Sequence, residues 1–276
     1  AEALAEEAAG LARKNGFDAC LALALRTLGV LSIKRGDHHD ATRFLDRATH
    51  HSLRADDLAE MGYALDARAT VHHLLGEIER KESTLEFAES AFLGAKLDIE
   101  AARIRTLIIA DQTDDEDGDA HTVERLEDAL TTVRDAGNRK ATAMISNVLG
   151  EKLRSRGALD EAREHYTRAM RLYESHGRSE ALICRTNLAL LELSADNDDR
   201  AAELMSSAHE DFSRAGMDYL MVYYHLIEAL LAVRERSVDE ALDHIAKARE
   251  CIDQSGQLDE DILNLAEGLT DEADDA

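Results

Sequence analysis

At 276 residues, with no proline, no tryptophan and 4% aromatic residues, the chain carries its apolar mass as Ala and Leu. That mixture suits helices packed through small and aliphatic side chains and disfavours a β-rich fold. A formal net charge of −25 weighs against unassisted binding to nucleic acid or an anionic membrane, where excess positive charge drives affinity. Lysine is scarce beside arginine. This acidic, lysine-poor surface is read as salt adaptation or a GC-rich source, with a basic partner as the sharper alternative. Cys20, Cys184 and Cys251 are far apart, each amid helical apolar residues. They read as small buried side chains in a reducing, cytoplasmic setting, not as a disulfide framework or metal knuckle. No apolar run is long enough to cross a bilayer and no signal peptide is visible. The chain opens on Ala1, not Met, and is read as a piece of a longer protein.

Residues 1–14 place Leu4, Ala8, Leu11 and Ala12 on one helical face, stopped by Asn15-Gly16. Breaks then recur near Ala55-Asp56, at Gly94, at Ala136-Gly137-Asn138, His176-Gly177-Arg178, Ala215-Gly216-Met217 and Ser255-Gly256-Gln257. From Gly94 the glycine steps are 43, 40, 39 and 40 residues. Such spacing predicts repeated units of two helices each. The first spans 18–53 and carries Leu28-Gly29, Gly36, Ala41, Leu45 and Ala48. The second, 57–93, is degenerate, and its register is open by about a residue. The third, 97–136, holds a long acidic turn. The fourth spans 138–175. The fifth, 178–215, places Leu188, Ala189, Ala201, Met205 and Ala208; the sixth, 218–254, places Ala229, Ala241, Ile245 and Ala248. A last helix over 258–272 would cap the array with a polar face.

The fourth unit is the clearest. Ile145, Val148, Leu149 and Leu153 keep a helical period up to Gly157. Leu159, Ala162, Tyr166, Ala169, Met170 and Tyr173 share the next helix's face. This hairpin resembles a tetratricopeptide (TPR) repeat: Leu149-Gly150 stands at its Leu-Gly pair, Leu153 at its Tyr position, and Ala162, Tyr166 and Ala169 at the packing positions of its second helix. The lengthened units look like those of kinesin light chains and of large bacterial signalling and transcription regulators. The lack of proline departs from the TPR pattern, which often closes its second helix with one. The resemblance implies an all-α fold, a right-handed α-α superhelix of about six hairpins with partial end units, as one domain over 1–276.

By the same resemblance, outward positions of the first helices would line a concave, ligand-holding groove. These are Arg26, Val30 and Ile33; Arg105 and Ile109; Met144, Asn147, Glu151 and Arg154; Ile183, Thr186 and Leu190; and Tyr223, Leu226 and Leu230. Arginine recurs on first helices at Arg26, Arg68, Arg103, Arg105, Arg154 and Arg185. It presents a donor fork suited to carboxylates, so one expectation is a ligand acidic in its middle. The alternative is that these arginines pair with Asp and Glu of neighbouring second helices. The Lys/Asn clamp of chaperone-binding TPR domains is not reproduced; only Asn147 stands at a comparable position. Tyr219, Tyr223 and Tyr224 are read as core and stacking residues, with a protein-contact patch as the alternative.

Three His pairs, His38-His39, His50-His51 and His72-His73, lie near turns with Asp37, Asp40 and Glu77 close in sequence. Solvated edge histidines are preferred over zinc ligands, because adjacent helical residues point about 100° apart. In Thr113–Glu124, Asp115, Asp117, Gly118 and Glu124 match a calcium-loop spacing, but Thr113 replaces its first Asp, so a flexible acidic insertion is preferred. No nucleophile–base pair, phosphate-cradling loop or paired catalytic carboxylates can be singled out. The chain is therefore read as a non-enzymatic protein- or peptide-binding scaffold attached to an effector domain, with no cofactor and no metal. A small-molecule sensor and a self-assembly module are the alternatives.

Overall fold

The computed structural model describes residues 1–111, 119–176, 179–217 and 219–255, and every regular element among them is a helix. In chain order these are α1 (Glu2–Asn15), α2 (Asp18–Lys34), α3 (His38–Arg54), α4 (Leu58–Leu74), α5 (Ile78–Gly94), α6 (Asp98–Asp111) and α7 (Asp119–Asp135). There follow α8 (Arg139–Ser155), α9 (Leu159–Glu174), α10 (Glu180–Ser194), α11 (Asp198–Met205), α12 (Ala208–Ala215), α13 (Leu220–Arg234) and α14 (Val238–Ser255). The expected helix over 258–272, the break at Gly177-Arg178, and Thr113, Asp115, Asp117 and Gly118 of the acidic turn lie outside the described residues. Contacts divide the chain into two compact units, 1–141 and 142–276, where the sequence was read as one domain.

In the first unit each helix packs on the next, and the first helices α2 and α4 also touch. Helices α2 to α5 each run 17 residues. The links return the chain through a left-handed residue at Gly16, Gly36, Asp56, Gly76 and Lys96, 20 residues apart. Each closes its helix; the Lys96 N–H, for example, donates to Leu93 O at 3.0 Å and Leu97 N–H to Phe92 O at 2.9 Å. Glycine takes this conformation freely, but Asp56 (φ 55°) and Lys96 (φ 59°) take it with a β-carbon. Asp37 and Asp57 start the next helices by accepting the Asp40 and Glu60 N–H groups at 3.1 and 2.9 Å.

In the second unit α9 packs on α10, α10 on α13 and α13 on α14. The second helix of the fifth hairpin is broken into α11 and α12, where one helix was expected. At the break the Ser206 hydroxyl donates to Glu203 O at 2.8 Å, and Ser207 bonds the Asp211 carboxylate at 2.8 Å, so both serines draw hydrogen bonds away from a continued ladder.

A small residue on the first helix stands 16 positions before a larger one on the second at Gly29/Leu45, Ala69/Leu85, Gly150/Tyr166, Ala189/Met205 and Ala229/Ile245. The third hairpin has Ile109 and, 17 positions on, Leu126 in those places, and every one of these residues is buried. A Cβ at Gly150 would lie 2.7 Å from Tyr166 Cδ1, closer than carbon atoms can approach. Glycine here is what lets a whole phenol ring fill the hairpin. The pairs also fix the register of the second hairpin, which the sequence left open. They correct the third: Ile109 occupies the small-residue place and is fully buried, so it is not an outward residue.

Three further expectations change. Gly94 is not the break but the last residue of α5; Leu58 Cδ1 sits 2.8 Å from where its Cβ would be. Helix α1 turns Ala5, Ala9 and Ala12 inward, against Leu21, Ala24 and Leu25, and exposes Leu4 and Leu11, because the alanine face permits the closer approach. Cys20 is exposed, while Cys184 is buried, its thiol pushed up to about 12 by that burial.

Candidate functional site

With the small residues as reference, the next position along each first helix holds Val30, Thr70 and Ala110 in the first unit. In the second it holds Glu151, Leu190 and Leu230. None of the six is buried. These are the non-buried positions next to the small residues on the first helices of each unit; Val30 of the sequence-derived set is among them in the first unit, and Glu151, Leu190 and Leu230 in the second. Ile33, Met144, Asn147, Arg154, Ile183 and Tyr223 flank them, half-buried. Thr186 and Leu226, like Ile109, are buried at 2%, 2% and 0% exposure, and present nothing to a ligand.

The expected arginine groove is corrected. Arg26 forks onto Glu60 of α4, Nε to Oε1 at 2.6 Å and Nη2 to Oε2 at 3.2 Å. Arg103 grips Asp66 of α4 at 2.5 Å, Arg105 holds Glu89 of α5 at 2.8 Å, and Arg185 holds Asp211 of α12 at 2.9 Å. Arg68 pairs with Asp46 of α3, and Arg154 lies beside the Tyr166 hydroxyl. Arg26, Arg68, Arg103, Arg105 and Arg185 are thus tied to carboxylates of the chain itself, so these five are not a free clamp for an acidic ligand. The sequence missed the first-helix carboxylates Glu60 and Asp66 as partners because they fall in the degenerate second unit.

On the first unit's wall the Tyr63 ring lies under the Arg26 guanidinium, 5.4 Å from its centroid, and the Tyr63 hydroxyl donates to Glu100 at 3.3 Å. Burial first, then the Glu100 carboxylate, raises the Tyr63 hydroxyl above its ordinary value. Beside these ties opens a cavity of about 310 Å³. Asp66, Ala69, Thr70 and His73 of α4 form one side, Leu107 and Ala110 of α6 the other, and Lys81 and Leu85 of α5 close it. Ala69 and Leu85 are a buried small–large pair; Thr70, His73 and Ala110 are exposed at the mouth. A recess of about 630 Å³ in the second unit is lined by α9 alone. Its Arg163 is tied to Glu192 and Asp160, and its Arg168 to Glu164.

In the second unit Asn187 Nδ2 donates to Asn147 Oδ1 at 3.2 Å, and Leu190 and Leu230 are half-buried on α10 and α13. Tyr219 is exposed, whereas Tyr223 and Tyr224 are half-buried. Nearby lies an imidazole pair not foreseen from the sequence: His225 Nδ1 and His244 Nδ1 are 3.1 Å apart, with the His209 and Tyr224 rings set edge-on around them. Burial, His244, Lys247 and His209 push His225 down to about 4. Of the His pairs flagged from sequence, His51 Nδ1 meets Asp18 at 2.7 Å and His72 Nδ1 meets Glu77 at 2.6 Å. Among the described residues no three His, Cys, Asp or Glu groups converge as a metal-ligand set. No described helix is long and apolar enough to cross a membrane.

No protein-family model and no curated protein sequence matches the chain. Solved structures do. A tetratricopeptide repeat protein from Parabacteroides merdae is similar at 16% identity, over 96% of this chain and 90% of that one, with a TM-score of 0.58. BtubC (BKLC) from P. vanneervenii is similar at 19% identity over 78% and 90%, TM-score 0.60. A Rap protein complexed with competence and sporulation factor is similar at 15% identity over 92% and 76%, TM-score 0.62. The chain thus has the all-α fold of TPR-like solenoids. At these identities the likeness is one of fold.

Proposed function

We propose that the chain is a non-catalytic recognition scaffold that binds a protein or peptide along the outward positions of the first helices within residues 1–141. It serves as the interaction module of a larger regulatory polypeptide. The observation that carries this reading is the preformed cavity between α4 and α6, whose mouth falls at Thr70 and Ala110 among those positions. A rigid, partly apolar recess binds without first being ordered, which lowers the entropic cost of capture. The Rap protein with bound competence and sporulation factor supports the same use of the fold. Arginine capture of an acidic segment is not part of the proposal, because Arg26, Arg68, Arg103, Arg105 and Arg185 are committed internally.

The test is selection of peptides from a displayed random library on the full chain, followed by Thr70→Trp combined with Ala110→Arg. Both sites are exposed, and the pair of changes should abolish capture. Phe87→Ser, on an exposed part of second helix α5, should leave capture intact. Equal loss from both variants, or from neither, contradicts the reading.

A further inference from the structure

Resting on that reading, we infer that the first-unit cavity is the anchor subsite for one large apolar side chain, aromatic or leucine-sized, of a peptide with basic residues on either side. The recess exists because the outward positions hold small side chains there. Where the fifth and sixth hairpins carry Leu190 and Leu230, the third carries Ala110, and the second carries Thr70. The floor is apolar, made of Ala69, Leu85 and Leu107, so a polar side chain entering it would lose its water without finding a partner. The polar groups near the floor are already occupied. The Asp66 carboxylate is held by Arg103 at 2.5 Å, and the Thr70 hydroxyl donates to Asp66 O at 3.3 Å. Neither is left to demand a polar ligand group.

At about 310 Å³ the space is at the small end of the range for ligand pockets and has room for one large side chain. Basic flanks follow from charge complementarity: the chain carries −25, and that field favours cationic segments on approach. The mouth itself bears Lys81 and His73, so the cationic residues of the ligand fall several positions from the anchor.

The test uses fluorescein-labelled nonapeptides Lys-Lys-Ser-Gly-X-Gly-Ser-Lys-Lys, with X as Trp, Leu or Ala, titrated with the full chain and read by anisotropy. The Trp or Leu peptide should bind at least about tenfold tighter than the Ala peptide, as expected for one buried apolar anchor. Ala110→Leu, which installs the residue of the fifth and sixth hairpins, should erase that difference while the melting temperature stays unchanged. Thr70→Leu should do the same from the opposite wall, so a folding defect in one variant does not decide the matter. Replacing the four lysines by glutamate should weaken binding, more at low salt than at high. Equal binding of the three peptides, or an anchor preference that both variants leave intact, overturns the inference and spares the scaffold reading. No binding of any peptide at millimolar concentration overturns both.

Discussion

Neighbouring first helices are joined differently in the two units. In residues 1–141 the joints are ionic: Arg26 on Glu60, Arg103 on Asp66, with Tyr63 wedged between. In the second unit the joint at the same helix level is neutral, Asn147 on Asn187, and the charged link lies at the helix ends, where Arg234 of α13 donates to Leu193 O of α10 at 3.0 Å. Yet the small–large pairs inside the hairpins are alike in both, from Gly29/Leu45 to Gly150/Tyr166. The stacking is therefore set within the hairpins, and the surface between first helices is free to carry charge or amide groups. That division of labour is what allows a solenoid to vary its ligand without varying its fold.

The comparison breaks most readily at the shared feature. Gly150→Leu would drive carbon into the Tyr166 ring and should cost about 3 kcal/mol or more, read by urea unfolding. Gly29→Leu, where a β-carbon already falls 2.6 Å from Leu45 Cγ in the first unit, should cost a similar amount. A mild effect at either site would mean the pairs do not set the stacking.

The contrasting feature is tested next. Glu60→Ala removes both acceptors of the Arg26 fork and leaves a half-buried guanidinium, at a cost of about 2 kcal/mol. Asn147→Ala should cost only about 1 kcal/mol. Equal losses would erase the distinction between ionic and neutral joints.

A pH titration separates the units further. His225 faces His244, Asp243 and Lys247 from α14 and His209 from α12, and its folded value lies near 4, below the ordinary histidine value of 6.5. Between those values the unfolded chain binds more protons, so stability is full above pH 6.5 and is lost as pH falls toward 4. His225→Phe should flatten that slope in thermal unfolding of the chain. A slope unchanged by the substitution would remove the imidazole pair as its source.

The smallest effect belongs to the turns. Lys96→Gly, at φ 59°, should gain up to about 1 kcal/mol by relieving the left-handed β-carbon. Gly36→Ala, at φ 77°, should lose a comparable amount.

The hairpin architecture was legible because its signals are local: Leu149-Gly150, Ala162, Tyr166 and Ala169 state both period and packing. The turns were half legible. Glycine marks Gly36 and Gly157, but Asp56 and Lys96 fill the same role without its signature, and Gly94 marked a close approach to Leu58 that resembles a break. Of the positions expected to face outward, Val30, Glu151, Leu190 and Leu230 are not buried, whereas Thr186 and Leu226 are. Ile109 is buried as well, because Ile at a small-residue place looks in the sequence like an outward apolar side chain. The cavity was not readable, since it depends on Thr70 and Ala110 being small beside one another across two helices. The pairing of the arginines was equally hidden, because Arg26 and Glu60 meet across 34 positions.

The most direct measurement of the claim that first helices form the binding wall is amide chemical-shift mapping on the full chain with the tryptophan nonapeptide. Shifts concentrated at Thr70, His73, Leu107 and Ala110, and extending to Val30, are the predicted result. Shifts concentrated on the exposed sides of second helices, around Phe87 and its neighbours on α5, would contradict it.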